Sequence, residues 1–142
     1  YYVGGMPQSA FSAGLKFFKN YWFAGVNFNY FMDIYLDPNP DRRTEEAVTN
    51  FVESDPQYAE TIEQTKLDNG FTMNAYVGKS FRIANKYYLS INLNATNILN
   101  NKDFSTGGYE QLRYDPQNID KFPPKLAYMY GFNFFAMATF RF

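Results

Sequence analysis

The sequence predicts an all-β fold: an antiparallel meander of about five long strands from a transmembrane β-barrel, with short helices in a long loop. Three observations predict it. From Leu126 to Phe142 the residues alternate, with Tyr128, Tyr130, Phe132, Phe134, Ala136, Ala138, Phe140 and Phe142 on one side and Asn133, Thr139 and Arg141 on the other. Successive side chains of a strand point to opposite faces, and about 9–11 residues cross a bilayer when tilted. Aromatic residues make up 21% of the chain, yet the mean hydropathy is −0.45. Strands that are apolar on one face only reconcile these two facts. The connections then run turn, long loop, turn, long loop, the rhythm of barrels with short turns at one membrane surface and long loops at the other.

Taken in order, Tyr1–Pro7 reads as a loop marked by Gly4, Gly5 and Pro7. The first strand is predicted from about Gln8 to Phe18, with Phe11, Ala13, Leu15 and Phe17 on its apolar face, and a tight turn at Lys19–Asn20 follows. In the second strand Trp22, Ala24, Val26, Phe28, Tyr30 and Met32 alternate with Phe23, Gly25, Asn27, Asn29, Phe31 and Asp33. The stretch from Asp37 to Asn69 is too long for an idle connection. It opens on Asp37-Pro38-Asn39-Pro40, which prevents regular pairing. Two short helices are expected in it. One starts near Asp41 or Thr44, with Val48, Phe51 and Val52 at helical spacing; the other is capped by Ser54 or Asp55, with Pro56 in the first helical position.

The third strand runs from Phe71 to about Ile83, with Phe71, Met73, Ala75 and Val77 opposed to Thr72, Asn74 and Tyr76. Ala84-Asn85-Lys86 turns the chain into the fourth, where Tyr87, Leu89, Ile91, Leu93 and Ala95 oppose Ser90, Asn92, Asn94 and Thr96. A second long connection, about Asn100 to Lys125, contains Gly107-Gly108 and Pro123-Pro124 and leads to the final strand. On this pattern Phe28, Ile91, Leu93 and Phe134 face lipid. The asparagines Asn27, Asn29, Asn74, Asn92, Asn94 and Asn133 face inward, toward a wet lumen, a plug or a ligand path. Five strands cannot close a barrel whose smallest members have eight. The chain is therefore expected to be the C-terminal part of something larger, or one of several chains that assemble. It starts in a loop without the charged and apolar regions of a secretion signal, as a mature or excised piece does.

Composition excludes several chemistries. No cysteine and no histidine occurs, which removes thiol nucleophiles, imidazole bases and the usual zinc sites. A net charge of −1 offers no basic field for nucleic acid. No run of about 18 apolar residues is present. Asp37-Pro38-Asn39-Pro40-Asp41 has the spacing of the first calcium-loop ligands, but Arg42 and Val48 stand where such a loop needs Gly and Glu. A proline-stiffened loop base is preferred. Arg42, Arg43 and Arg113, with Tyr109 and Tyr114, fall in the two long loops, where recognition residues concentrate. They are candidates for binding a sugar or an acidic ligand. The competing assignment, favoured here, is that they tie loop to loop and satisfy backbone carbonyls. Glu45 with Glu46, or Glu60 with Glu63, could be posed as catalytic carboxylates, but no partner is visible, so exposed helix faces are expected and no enzyme. Asn94-Ala95-Thr96 matches a glycosylation acceptor by chance within a strand.

Ordered segments along the chain carry a family resemblance: Gly5-Met6-Pro7-Gln8-Ser9-Ala10 leading into Tyr21-Trp22-Phe23-Ala24-Gly25, then Asn29-Tyr30-Phe31, and then Tyr35-Leu36-Asp37-Pro38-Asn39-Pro40-Asp41-Arg42-Arg43-Thr44. Leu67-Asp68-Asn69-Gly70-Phe71, Val77-Gly78-Lys79-Ser80 and Asn97-Ile98-Leu99-Asn100-Asn101 follow, then Thr106-Gly107-Gly108-Tyr109-Glu110-Gln111, and Phe122-Pro123-Pro124-Lys125 running into Tyr130-Gly131-Phe132-Asn133-Phe134-Phe135. In this order they resemble the C-terminal barrel region of TonB-dependent outer-membrane receptors, of the SusC-like and carboxypeptidase-regulatory-like type of Bacteroides-like bacteria. The resemblance implies a barrel of ~22 strands with a plugged lumen. It also implies import of a bulky ligand (glycan, peptide or metal chelate) with energy relayed by TonB, in the cell outer membrane, without a cofactor. The implied partners are outer-membrane lipid, an N-terminal plug with the remaining strands, TonB through that missing region, and a surface lipoprotein. In such barrels a terminal aromatic is part of the signal read by the assembly machinery, a role that falls here on Phe140 and Phe142. Two other readings compete: a soluble β-domain binding an apolar ligand or a protein partner, and a small self-assembling pore. Strand length argues against the soluble domain.

Overall fold

The computed structural model describes residues 1–49, 54, 56–115 and 117–142. They form a mostly antiparallel β structure with few helices. Contacts divide the chain into two compact units. A sheet unit comprises Ala10–Phe31, Gly70–Asp103 and Met129–Phe142, and a loop unit comprises Tyr1–Ser9, Met32–Asn69 and Phe104–Tyr128.

The strands are β1 (Pro7–Lys19), β2 (Trp22–Tyr35), β3 (Lys66–Leu67), β4 (Gly70–Ile83), β5 (Tyr87–Thr96), β6 (Ser105–Tyr109), β7 (Lys125–Tyr128) and β8 (Asn133–Arg141). Two helices are long enough to label, α1 (Glu45–Val48) and α2 (Pro56–Ile62). The main sheet has the order β1-β2-β4-β5-β8, so neighbours in space are also successive long strands. Among the described residues it does not close on itself: β1 and β8 are its edges.

The two hairpin turns of the sheet unit use left-handed backbone. Asn20 and Tyr21 have φ of 50° and 63°, and Ala84 and Asn85 have 49° and 55°. In the second, the Lys86 N–H donates to the Ile83 carbonyl at 3.1 Å. Two consecutive positive φ values match the right-handed twist of the flanking strands, which is why two-residue hairpins adopt them. The first turn therefore sits one residue later than Lys19–Asn20, because β1 runs on through Lys19.

The final strand differs from its expected extent. The alternation from Leu126 to Phe142 is divided between β7 and β8, and Met129–Phe132 is not strand. Side-chain amides intercept the backbone there. Asn97 Nδ2 donates to the Tyr130 carbonyl at 2.8 Å, and the Phe132 N–H donates to Asn100 Oδ1 at 3.0 Å. Tyr128 and Tyr130 consequently fall outside β8, Phe132 precedes the strand but keeps its ring stacked on Phe134 at 6.1 Å, and Phe142 lies beyond the strand's end. Asn97 and Asn100 can hold this knot because both sit at positive φ, 49° and 52°, which asparagine tolerates. Asn97 is buried, and its oxygen also accepts the Asn101 N–H at 3.1 Å.

In the loop unit, α1 starts with Thr44 as N-cap, its Oγ1 accepting the Ala47 N–H at 3.2 Å. Pro56 opens α2, while the expected helical positions Phe51 and Val52 and the cap candidate Asp55 lie outside the described residues. Two strands appear where only loop was expected. Lys66–Leu67 pairs with Tyr35–Ile34, and β6 pairs with β7. Gly108 permits the latter: a Cβ there would lie 2.2 Å from the Lys125 carbonyl oxygen and 3.0 Å from Leu36 Cδ2. Ile34, Leu36, Ala47 and Phe104 form the buried apolar core of this unit.

Candidate functional site

The register of the sheet unit assembles one apolar face. Trp22, Ala24, Val26, Phe28 and Tyr30 of β2 stand opposite Lys79, Val77, Ala75, Met73 and Phe71 of β4. Ala75, Val77, Lys79, Phe81 and Ile83 pair with Ala95, Leu93, Ile91, Leu89 and Tyr87 of β5. Leu89, Ile91, Leu93 and Ala95 pair in turn with Phe140, Ala138, Ala136 and Phe134 of β8. Phe28, Ile91, Leu93 and Phe134 thus share one face, and all four are exposed, Phe134 by 68%. The composition of this face changes with height. Near the hairpin turns it carries Trp22, Phe81, Tyr87 and Phe140, with Tyr87 and Phe140 stacked at 5.8 Å between centroids. At the other end Phe28 stacks on Phe71 at 5.9 Å. Between these rims lie alanine, valine and leucine.

The opposite face gathers the sheet's asparagines, serines and threonines, with Phe135 and Met137 of β8 standing opposite Asn94 and Asn92. Ser12 Oγ donates to Asn29 Oδ1 at 3.0 Å, Asn27 Nδ2 donates to the same oxygen at 2.9 Å, and Asn29 Nδ2 donates to Thr72 Oγ1 at 3.3 Å. Asn27 stands opposite Asn74, whose Oδ1 accepts the Asn97 N–H at 3.0 Å. Ser80 and Ser90 pair through their hydroxyls at 3.2 Å. Asn92 and Asn94 lie on this same face, opposite Gly78 and Tyr76, and Asn133 pairs with Thr96. Two glycines on this face are covered by rings. A Cβ on Gly25 would fall 2.5 Å from Tyr76, and one on Gly78 would fall 2.1 Å from Phe23. Each ring lies over the bare backbone of the strand opposite it, a device that pins strand register.

In the loop unit the candidate ligand residues part company. Arg43 is half-buried, with its side chain only 9% exposed, and it spends all five of its N–H groups within the chain. Nη1 donates to Glu110 Oε2 at 2.6 Å and to the Asn39 carbonyl at 2.8 Å; Nη2 donates to Glu110 Oε1 at 3.0 Å and to the Glu63 carbonyl at 2.9 Å. Nε donates to the Ile62 carbonyl at 3.1 Å. The guanidinium also lies 5.3 Å from the Tyr1 ring centroid. Burial alone would raise the Glu110 carboxyl, but hydrogen bonds from Arg43 and from the Asn39 N–H outweigh it and hold the group below the usual carboxylate range. The same hydrogen bond holds Arg43 above its ordinary value, against the effect of burial. Arg42 is half-buried, with its guanidinium 5.7 Å from the Tyr114 ring and, among the described residues, no hydrogen-bond partner for Nε. Tyr109 and Arg113 are exposed. Asn39 Oδ1 caps the short 3-10 turn Pro40–Arg43 by accepting the Asp41 N–H at 2.9 Å, and its amide donates to the Gln111 carbonyl at 2.8 Å. The aspartate-rich run around it is thus organised as a cap. Among the described residues no cluster of three or more acids is arranged to hold a metal.

Sequence reading did not find Glu110. It lies 67 residues from Arg43, and no periodicity links the two. It also did not single out the rings over Gly25 and Gly78, although a glycine inside a strand signals close approach of another group. Comparison with models of known families, with characterised proteins and with solved structures finds no match to this chain.

Proposed function

We infer that the chain forms the C-terminal strands of an outer-membrane β-barrel, a TonB-dependent receptor that imports a bulky ligand. One observation carries this reading. Among the described residues, all four buried hydrophobic side chains (Ile34, Leu36, Ala47, Phe104) belong to the loop unit, while the sheet unit buries none. A soluble sheet has to cover one apolar face with a second layer. A membrane sheet is covered by lipid on that face, and its other face can be polar. From Trp22 to Tyr30 the strand spans about 27 Å at ~3.4 Å per residue. A tilt of ~40° reduces this to a height of ~20 Å, near the ~25 Å apolar band of such barrels, with aromatic rims where the two interfaces fall. The free edges of β1 and β8 then pair with strands of the same barrel, since open edges do not occur in hydrocarbon. The imported substrate class and the TonB, plug and lipoprotein partners rest on the family resemblance alone.

The test uses the full-length receptor in intact cells. On this reading the two long connections lie outside the cell and the hairpin turns lie in the periplasm. An epitope tag beside Asp115 should be reached by antibody on intact cells, and tags at Asn20 or Asn85 only after the envelope is opened. Labelling of the turns and not the loop would defeat the assignment. Deleting Phe142, which is 92% exposed, should lower the outer-membrane level while the inserted fraction melts as wild type. Normal insertion would remove the assembly role of Phe140 and Phe142.

A further inference from the structure

The apolar face contains one charged residue in its registered rows, Lys79. Its ammonium lies 4.6 Å from the Trp22 ring centroid and 4.9 Å from that of Phe81. It forms no salt bridge or hydrogen bond with a described residue. An ammonium has three donors and accepts nothing, so on an apolar surface it requires an acceptor from outside the chain. Beside it lies a groove of about 270 Å³, walled by Trp22 and Phe81 and floored by Val77, Ile91 and Leu93. The sheet unit as a whole is basic. The sheet unit carries Lys16, Lys19, Lys79, Arg82, Lys86, Lys102 and Arg141 against the single acid Asp103. Lys19 and Lys86 lie at the two hairpin turns, and Lys86 sits over the Tyr87 ring at 5.4 Å.

A cation between aromatic walls, next to a hydrocarbon-lined groove and in a basic field, matches an amphiphile with an anionic head and an aliphatic tail. We propose that Trp22, Lys79 and Phe81, with the groove over Val77, Ile91 and Leu93, form a binding site for one anionic phospholipid. Its phosphate oxygens accept from Lys79 and one acyl chain lies in the groove. The site rests on the membrane reading above. That reading makes the face meet lipid; the lysine makes it choose among lipids. The competing description is a lysine that only snorkels along its own stem toward water. Such a lysine shows no preference for the net charge of its lipid neighbours.

The experiment places the full-length receptor in phosphatidylcholine vesicles. Each sample contains a small matched fraction of a photoactivatable-acyl probe, either phosphatidylglycerol or phosphatidylcholine. After irradiation, adducts on the segment from Val77 to Leu93 are quantified by mass spectrometry. The phosphatidylglycerol probe should label it about fivefold more than the phosphatidylcholine probe, the size of one lysine's attraction to anionic lipid. Lys79→Gln should bring the two to equality, and Lys79→Arg should keep the preference. Equal labelling in the wild type overturns the site while leaving the face in lipid. A preference that survives Lys79→Gln also overturns it. No labelling by any probe would count against the membrane reading itself. The wild-type ratio is decisive even if a variant fails to insert.

Discussion

The sheet unit and the loop unit solve the same problem by opposite means. The loop unit is acidic, with thirteen acids against six bases, and it contains its own core and its own buried ion pair. The sheet unit has seven bases and one acid, two exposed faces and no buried hydrophobic side chain among the described residues. Its inner strands are satisfied by the ladder and the turns, but the free edges of β1 and β8 and the side chains of its apolar face await surroundings that the described residues do not supply. The loop unit is thus self-sufficient in packing, and the sheet unit is specified for a particular solvent. Substitutions should therefore act by different rules in the two.

The largest effect is expected in the loop unit. Glu110→Ala leaves the Arg43 guanidinium buried without its counter-charge, and breaking a buried pair in this way costs about 3–5 kcal/mol. Hydrogen exchange should rise across residues 32–49 and 104–115 while β4 and β5 keep their protection. Loss of protection in both units together would show that they do not fold independently. Acid should act in the same place. Because the folded-state carboxyl of Glu110 lies below its ordinary value, it stabilises fully above pH ~4.5, the ordinary glutamate value. That contribution is lost as pH falls from there through the depressed value. Acid titration followed by exchange should therefore open the loop unit first.

In the sheet unit the rule is the solvent of each face. Leu93→Arg should cost about 2–4 kcal/mol in a lipid-facing position, and Asn92→Arg, one residue away, far less. Equal penalties in a denaturant titration of the inserted protein would erase the distinction between the faces. A smaller effect concerns register. Gly78→Ala drives a methyl into Phe23 and should cost about 1–3 kcal/mol. Phe23→Leu in the same chain should recover much of it, and a simple sum of the two losses would mean that the ring does not lie over the glycine. The smallest effect is a gain. Ala84 holds a left-handed φ of 49°, and Ala84→Gly should stabilise the hairpin by ~1 kcal/mol. A loss of stability there would show that the turn is not left-handed in the protein.

How much of this was legible in the sequence follows the same division. Strands of the sheet unit announce themselves through period-two alternation, so β4 and β5 were placed to within a residue and the faces of Ile91 and Asn92 followed. The alternation misled where it ran past its structural end. Tyr128, Tyr130 and Phe132 keep the period, but Asn97 and Asn100 take up the backbone groups a strand would need. That competition involves residues some thirty positions apart and leaves no trace in local pattern. The loop unit was less readable for the same reason. Thr44 and Pro56 marked their helices by short-range capping chemistry, whereas the Arg43–Glu110 pair and the β6–β7 ribbon depend on contacts made only after folding. Arg43 was legible as an arginine that ties loop to loop and satisfies backbone carbonyls, as it does at Asn39, Ile62 and Glu63, but its carboxylate partner Glu110 was not.

The central claim is that the two faces of the main sheet meet different solvents. Spin labels placed one at a time at residues 88–95 of β5 test it most directly, by comparing collisions with oxygen, which concentrates in hydrocarbon, and with a polar nickel chelate. In a lipid bilayer, labels at Leu89, Ile91, Leu93 and Ala95 should favour oxygen, and labels at Tyr88, Ser90, Asn92 and Asn94 should favour the chelate, with a period of two. Uniform access of the chelate to both sets, or an inverted phase, would contradict the account.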